Sequence, residues 1–170
     1  MFPRPGQPPL VQAERAVQGL ARMLTERGQT LAAAESCTGG WIAKLLTDLP
    51  GSSAWFGYGV VSYANAAKMQ LLGVSEASLR THGAVSEAVV KQMAEGVRLL
   101  ASADYARRNG VVGAGGGTPD KPVGTVWAAW SSAEGTTAHM ERFCGDRDEV
   151  RAKTVAWVLC ELDQQLAQIS

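Results

Sequence analysis

The chain has no excess of charge of either sign: Lys plus Arg total 16, Asp plus Glu total 16, and the net charge is zero. Binding to a phosphate backbone draws on a basic surplus, so nucleic acid is not an expected partner. No apolar run is long enough to span a bilayer, so no membrane is expected either. The first nine residues hold four prolines and no apolar h-region, which excludes a secretory signal and points to a flexible, proline-rich arm over residues 1–9. Cysteines number only three and are far apart, which suits reduced thiols in a cytoplasmic protein. Histidines number two, with no CxxC or HxxxH pattern, so no metal site is expected. The glycine-rich stretch Gly110–Gly117 fits neither GxGxxG nor GxxxxGK[ST], so no nucleotide cofactor is expected from it.

What is present is 170 residues, enough for one domain with a substantial core, placed at residues 10–170. Strands alternate with amphipathic helices. Ala13, Ala16, Val17, Leu20, Met23 and Leu24 line a helix that Gly28 terminates. Leu31–Ala34 reads as a buried strand, and Trp41, Ile42, Leu45 and Leu46 come after it at helical spacing. Residues 54–63 read as a strand whose Gly57 and Gly59 suggest a bulge or a close approach. Asn65 is expected to cap a short helix ended by Gly73, and Ser86 to cap a longer one. Residues 103–112 take a strand position, although adjacent Arg107 and Arg108 sit poorly in a buried strand. Residues 123–130 and 136–143 read as a hairpin, and Asp146 with Glu149 has capping-box spacing ahead of the last helix. The pattern predicts an α/β fold, a three-layer α/β/α sandwich with a mixed, mostly parallel sheet and one antiparallel hairpin.

The reactive groups concentrate at the end of the first strand. Glu35, Ser36, Cys37 and Thr38 precede Gly39 and Gly40, which permit a sharp turn and a close ligand approach before a helix start. Ser36 needs a base to act as a nucleophile. His82 and His139 have no carboxylate at orienting spacing, and Lys68, Lys44 and Lys153 are the lysine alternatives. A lysine titrates near pH 10.4, and lowering that by about 3 pH units corresponds to about 4 kcal/mol of destabilisation of its charged form. Cys37 is the competing nucleophile, since a helix N-terminus favours a thiolate. Arg147, at a helix start, is a candidate anion contact.

Together the segments Ala34–Trp41, Pro50–Phe56, Val61–Lys68, Leu71–Val74, His82–Glu87, Gly116–Trp127 and Gly145–Arg147 resemble the CinA C-terminal domain family, which includes nicotinamide mononucleotide (NMN) amidohydrolases of the PncC type. The resemblance covers residues 11–165. It implies hydrolysis of the NMN carboxamide to nicotinic acid mononucleotide and ammonia by a Ser/Lys acyl-enzyme route, without metal or other cofactor. It implies Ser36 as nucleophile, Lys68 as base and Tyr63 as an orienting group. For substrate binding it implies Glu35, Thr38, Gly39, Gly40, Asn65, Gly116, Gly117 and Arg147. It also implies a homodimer and a stand-alone domain. One segment departs from the family: an apolar strand leading into Ser/Thr-Gly-Ile-Ala-Gly-Pro is replaced by Arg107–Ala114, one residue short. That departure favours the alternative of a non-catalytic, nucleotide- or partner-binding module linked to competence or DNA damage.

Overall fold

The computed structural model of the protein describes residues 6–102, 105–111 and 121–168. Helix α1 spans Pro9–Arg27, strand β1 Leu31–Glu35 and helix α2 Trp41–Thr47. A 3-10 turn at Ser52–Ala54 leads into β2, Phe56–Val61. Helices α3, Asn65–Leu72, α4, Glu76–His82, and α5, Glu87–Ala101, come next. They are succeeded by β3, Tyr105–Val111, β4, Thr125–Ser132, β5, Gly135–Arg142, and α6, Arg147–Gln168.

The five strands form one sheet in the order β2-β1-β3-β4-β5. β1 pairs in parallel with both β2 and β3, while β4 pairs antiparallel with both β3 and β5. β4 alone therefore runs against the other strands, and β4 with β5 is the expected hairpin. Helices cover both faces. Leu31 and Ala33 of β1, with Val126, Ala128 and Trp130 of β4, face α1, α2 and α6. Ala32 and Ala34 face α5, Leu72 and Val74 on the other side. This alternation makes β1 apolar on both faces, and its five residues are all buried. Leu20, Leu24, Leu159 and Leu166, where α1 meets α6, are each 0% exposed. Burying one such side chain is worth about 1.5–3 kcal/mol.

Several local expectations acquire a physical form. Leu31 pairs with Phe56 and Ala32 with Tyr58, so Gly57 is the extra residue of a bulge. A Cβ on Gly59 would lie 2.9 Å from Ala43 Cβ, so α2 closes directly onto β2 there. β3 forms at the centre of the sheet in spite of its paired arginines, with Arg107 opposite Ala33 on one side and Trp130 on the other. Asp146 and Glu149 form a reciprocal capping box: the Glu149 N–H donates to Asp146 Oδ1 and the Asp146 N–H to Glu149 Oε2, both at 2.9 Å.

Two boundaries differ from expectation. The arm was expected to run through residue 9, but Pro9 already opens α1, because a fixed φ and a missing N–H suit the first helical position. Gln7 is also tied to that helix, its carbonyl accepting from Gln12 Nε2 at 2.8 Å and its side chain from Arg15 Nη1 at 2.9 Å. Residues 1–5 lie outside the described residues. Asn65 does not cap α3: Ala64 is the cap residue, Asn65 is the first helical residue, and no side chain caps that end.

Candidate active site

The strand β1 ends at Glu35, and the residues after it form a turn built around that carboxylate. Glu35 is 1% exposed. Its Oε2 accepts from Thr38 Oγ1 at 2.7 Å and from the backbone N–H groups of Gly40 and Ile42 at 3.1 Å each. Its Oε1 accepts from the Ala43 N–H at 2.8 Å. The first N–H groups of a helix have no partner within it. Glu35 reaches across the turn to supply them for α2, and its negative charge also suits the positive end of that helix. Gly39 and Gly40 hold φ of 62° and 95°, values that side chains other than glycine's adopt at a cost, and this lets the chain curl around the carboxylate.

Glu35 and Thr38 were expected among the substrate-binding residues, Glu35 to hold the turn or the lysine and Thr38 through its backbone N–H. Both are buried and bonded to each other, and Thr38 is 0% exposed. The α2 N-terminus is not an anion site, because Glu35 already occupies its N–H groups. The Gly39 N–H donates to the Ser36 carbonyl at 3.1 Å, so neither glycine of the turn presents its N–H outward. The Thr38 N–H has no hydrogen-bond partner among the described residues.

Ser36 stands half-buried at the carboxyl ends of β1 and β2, the end of a parallel sheet where ligands bind. Lys68 comes from α3 and is 2% exposed. Its Nζ lies 3.3 Å from Ser36 Oγ and donates to the carbonyls of Ser62 and Tyr63 at 2.9 Å each. The Ser62 N–H continues the β1–β2 ladder by donating to the Glu35 carbonyl at 2.8 Å. This pins the segment that carries the two carbonyls against the end of β1. The other lysines are elsewhere: Lys44 pairs with Asp48 on the surface at 2.6 Å, and Lys153 donates to the Cys144 carbonyl at 2.5 Å. His82 ends α4, and His139 lies on β5 with its ring 5.4 Å from that of Trp130.

Tyr63 enters the site in two ways. Its carbonyl holds Lys68, while its ring is 61% exposed and its hydroxyl accepts from Arg147 Nη2 at 2.9 Å. The tyrosine thus joins the lysine segment to the start of α6. Asn65 is exposed, one turn of α3 before Lys68. Gly116 and Gly117 lie outside the described residues.

Arg151 was not singled out from the sequence. Its Nε donates to the Cys37 carbonyl at 3.0 Å, its Nη2 to the Thr38 carbonyl at 3.3 Å and its Nη1 to Asp148 Oδ1 at 3.0 Å. The guanidinium carbon also stands 5.4 Å from the centre of the Trp41 ring, a cation–π distance. Four residues after Arg147, it shares a helix face with it, and that spacing was the available signal. Among the described residues no group of three or more His, Cys, Asp or Glu could hold a metal ion. No described helix is long and apolar enough to cross a membrane.

Known proteins share this arrangement of chain. The family model for the CinA C-terminal domain matches residues 13–166. The nicotinamide-nucleotide amidohydrolase PncC of Escherichia coli K12 is 51% identical over 151 residues, covering 88% of this chain and 92% of that one. A CinA-like protein of Geobacter sulfurreducens is 49% identical over 148 residues, which make up 36% of its longer chain. The crystal structure of competence damage-inducible protein A from Klebsiella pneumoniae superposes with a TM-score of 0.89 at 38% identity, over 93% of this chain and 99% of that one. The competence/damage inducible protein CihA of Agrobacterium tumefaciens gives a TM-score of 0.87 at 38% identity and covers 99% of this chain. On the extent of these matches the chain belongs to the CinA C-terminal domain family.

Proposed function

We propose that the protein is a nicotinamide-nucleotide amidase that hydrolyses NMN to nicotinic acid mononucleotide and ammonia through a serine ester. The observation that carries the chemistry is a buried lysine nitrogen 3.3 Å from a serine hydroxyl at the carboxyl ends of parallel strands. The 51% identity to an amidohydrolase of that name supports the substrate.

Burial disfavours the ammonium form of Lys68. In the neutral amine, the Ser62 and Tyr63 carbonyls take two N–H hydrogens and leave the lone pair for the Ser36 hydroxyl. Lys68 accepts the hydroxyl proton as Ser36 Oγ bonds to the carboxamide carbon. The oxyanion so formed needs preorganised N–H donors. The C–N bond then breaks, and Lys68 returns the proton to the leaving nitrogen, which departs as ammonia. Water attacks the ester by the same route, giving the carboxylate and restoring Ser36. Tyr63 and Arg147 form one edge of the site, and Arg147 is the contact for the substrate phosphate. Glu35 serves this chemistry by holding the turn rather than by touching substrate. The protein acts as a single domain over residues 10–170, as a homodimer and in the cytoplasm.

The test is ammonia release from NMN by the purified protein beside Ser36→Ala, Lys68→Ala and Cys37→Ala. Loss in the first two with activity kept in the third is the expected result. A dead Cys37→Ala beside an active Ser36→Ala overturns the nucleophile. Calorimetric binding of NMN without turnover marks instead the non-catalytic nucleotide-binding module that the Arg107–Arg108 departure favours.

A further inference from the structure

Helix α3 is short and buries two of its side chains, Lys68 and Leu72. They stand one turn apart on the same face. Lys68 reaches Ser36 from that face, and Leu72 joins Val89, Met93 and Val97 of α5 in one apolar cluster. The two helices also meet through backbone. A Cβ on Gly96 of α5 would stand 2.7 Å from the Leu72 carbonyl carbon and 2.9 Å from its Cα. Non-bonded carbons sit about 3.5–4.0 Å apart, so a side chain at 96 would drive the helices apart by about 1 Å. Anchoring decides which helix would give way. α5 buries Val89, Val90, Met93, Ala94 and Val97 against β1 and β4. α3 has two buried residues and no side-chain cap at its start. The shift would fall on α3, and so on Lys68. Its Nζ stands 3.3 Å from Ser36 Oγ, already at the long end of hydrogen-bond distances.

We propose that Gly96 is a positioning residue for Lys68. By having no side chain it lets α3 seat on α5 at the depth from which the lysine reaches Ser36, and it acts through α3 alone. This rests on the Ser36–Lys68 reading given above.

The experiment compares wild type with Gly96→Ala and Gly19→Ala in steady-state NMN hydrolysis. Thermal melting and the Cε NMR signals of isotope-labelled lysines are recorded alongside, with the Lys68 signal identified by its loss in Lys68→Ala. Gly19 is the control: a Cβ there would stand 3.0 Å from Asp163 Cγ, between α1 and α6 on the other face of the sheet. In Gly96→Ala, kcat is expected to fall by about 100-fold, the cost of misplacing a reacting group by about 1 Å, with KM within about twofold of wild type. The Lys68 signal is expected to move. Gly19→Ala is expected to keep wild-type kcat and leave the Lys68 signal in place. Added to Lys68→Ala, Gly96→Ala is expected to lower the residual rate no further, because its effect passes through that lysine. An unchanged kcat in Gly96→Ala, a raised KM at unchanged kcat, an equal fall in Gly19→Ala, or a further fall in the Lys68→Ala background overturns the proposal. If Gly96→Ala does not fold, Leu72→Val decides, since it thins the apolar side of the same seat: a lower kcat at unchanged KM supports the role, and wild-type kcat overturns it. If wild type itself releases no ammonia, the amidase reading fails and the Lys68 signal alone judges the glycine. A signal moved in Gly96→Ala but not in Gly19→Ala then supports the positioning role, and any other pattern overturns it.

Discussion

Ser36 and Lys68 are 32 residues apart in sequence and 3.3 Å apart in space. Neither is unusual by itself, and their chemistry comes from the contact. Replacing Ser36 with Ala is expected to lower kcat by more than about 1,000-fold, as removing a nucleophile does, with Tm close to wild type. Assay and melting curve together check this. Glu35 behaves in the opposite way. Glu35→Ala strips the partner from three backbone N–H groups and from the Thr38 hydroxyl in a buried place. A destabilisation of about 2–4 kcal/mol is expected, read from urea unfolding. A variant as stable as wild type would show that α2 has another cap. The neighbours Glu35 and Ser36 thus differ in placement: Glu35 holds the turn, and Ser36, the proposed nucleophile, stands beside Lys68. Both were legible in the sequence as polar residues at a strand end. The resemblance gave Ser36 the nucleophile's role; that Glu35 caps α2 was not legible, because a carboxylate reaches helix N–H groups only once the turn has closed.

At the scale of elements, periodicity and punctuation predicted much of the chain. The apolar stripe of α6 was visible in Val155, Val158, Leu159, Leu162, Leu166 and Ile169; the first five are buried, and Ile169 lies outside the described residues. The capping box at its start was visible in Asp146 and Glu149. Asp146→Ala is expected to cost about 1 kcal/mol, as loss of an N-cap does, seen as a lower urea midpoint at unchanged slope. The β3 segment was the hard case. Arg107 and Arg108 argue against a buried strand by composition, yet residues 105–111 pair with β1 on one side and β4 on the other. A central position supplies partners for both edges of the backbone, and that outweighs local propensity. Arg151 shows the converse limit. Its helix was predicted, but its partners are two carbonyls more than 110 residues earlier in the chain.

At the scale of the whole molecule, the sheet order brings the ends of β1 and β2 together with the starts of α3 and α6. The site is assembled where these meet. No described cluster of metal-binding side chains lies there, and turnover of NMN is expected to be unchanged by EDTA, a chelator assay being the check. Loss of activity that added zinc or magnesium restores would point to a metal requirement. The homodimer is checked by light scattering on the purified chain, with twice the 17.9 kDa mass expected.

The sequence by itself determined the α/β class, the helix stripes, the reactive turn at the end of β1 and, through its resemblance to one family, the choice of Ser36 and Lys68. These are local patterns or ordered motifs, and they survive without coordinates. Tertiary structure alone decided that Glu35 caps α2, that Tyr63 binds Lys68 through its carbonyl and Arg147 through its hydroxyl, and that Arg151 grips the nucleophile turn. Each depends on groups distant in the chain meeting within about 3 Å, the range over which a hydrogen bond acts. No spacing along a single strand or helix encodes such a meeting.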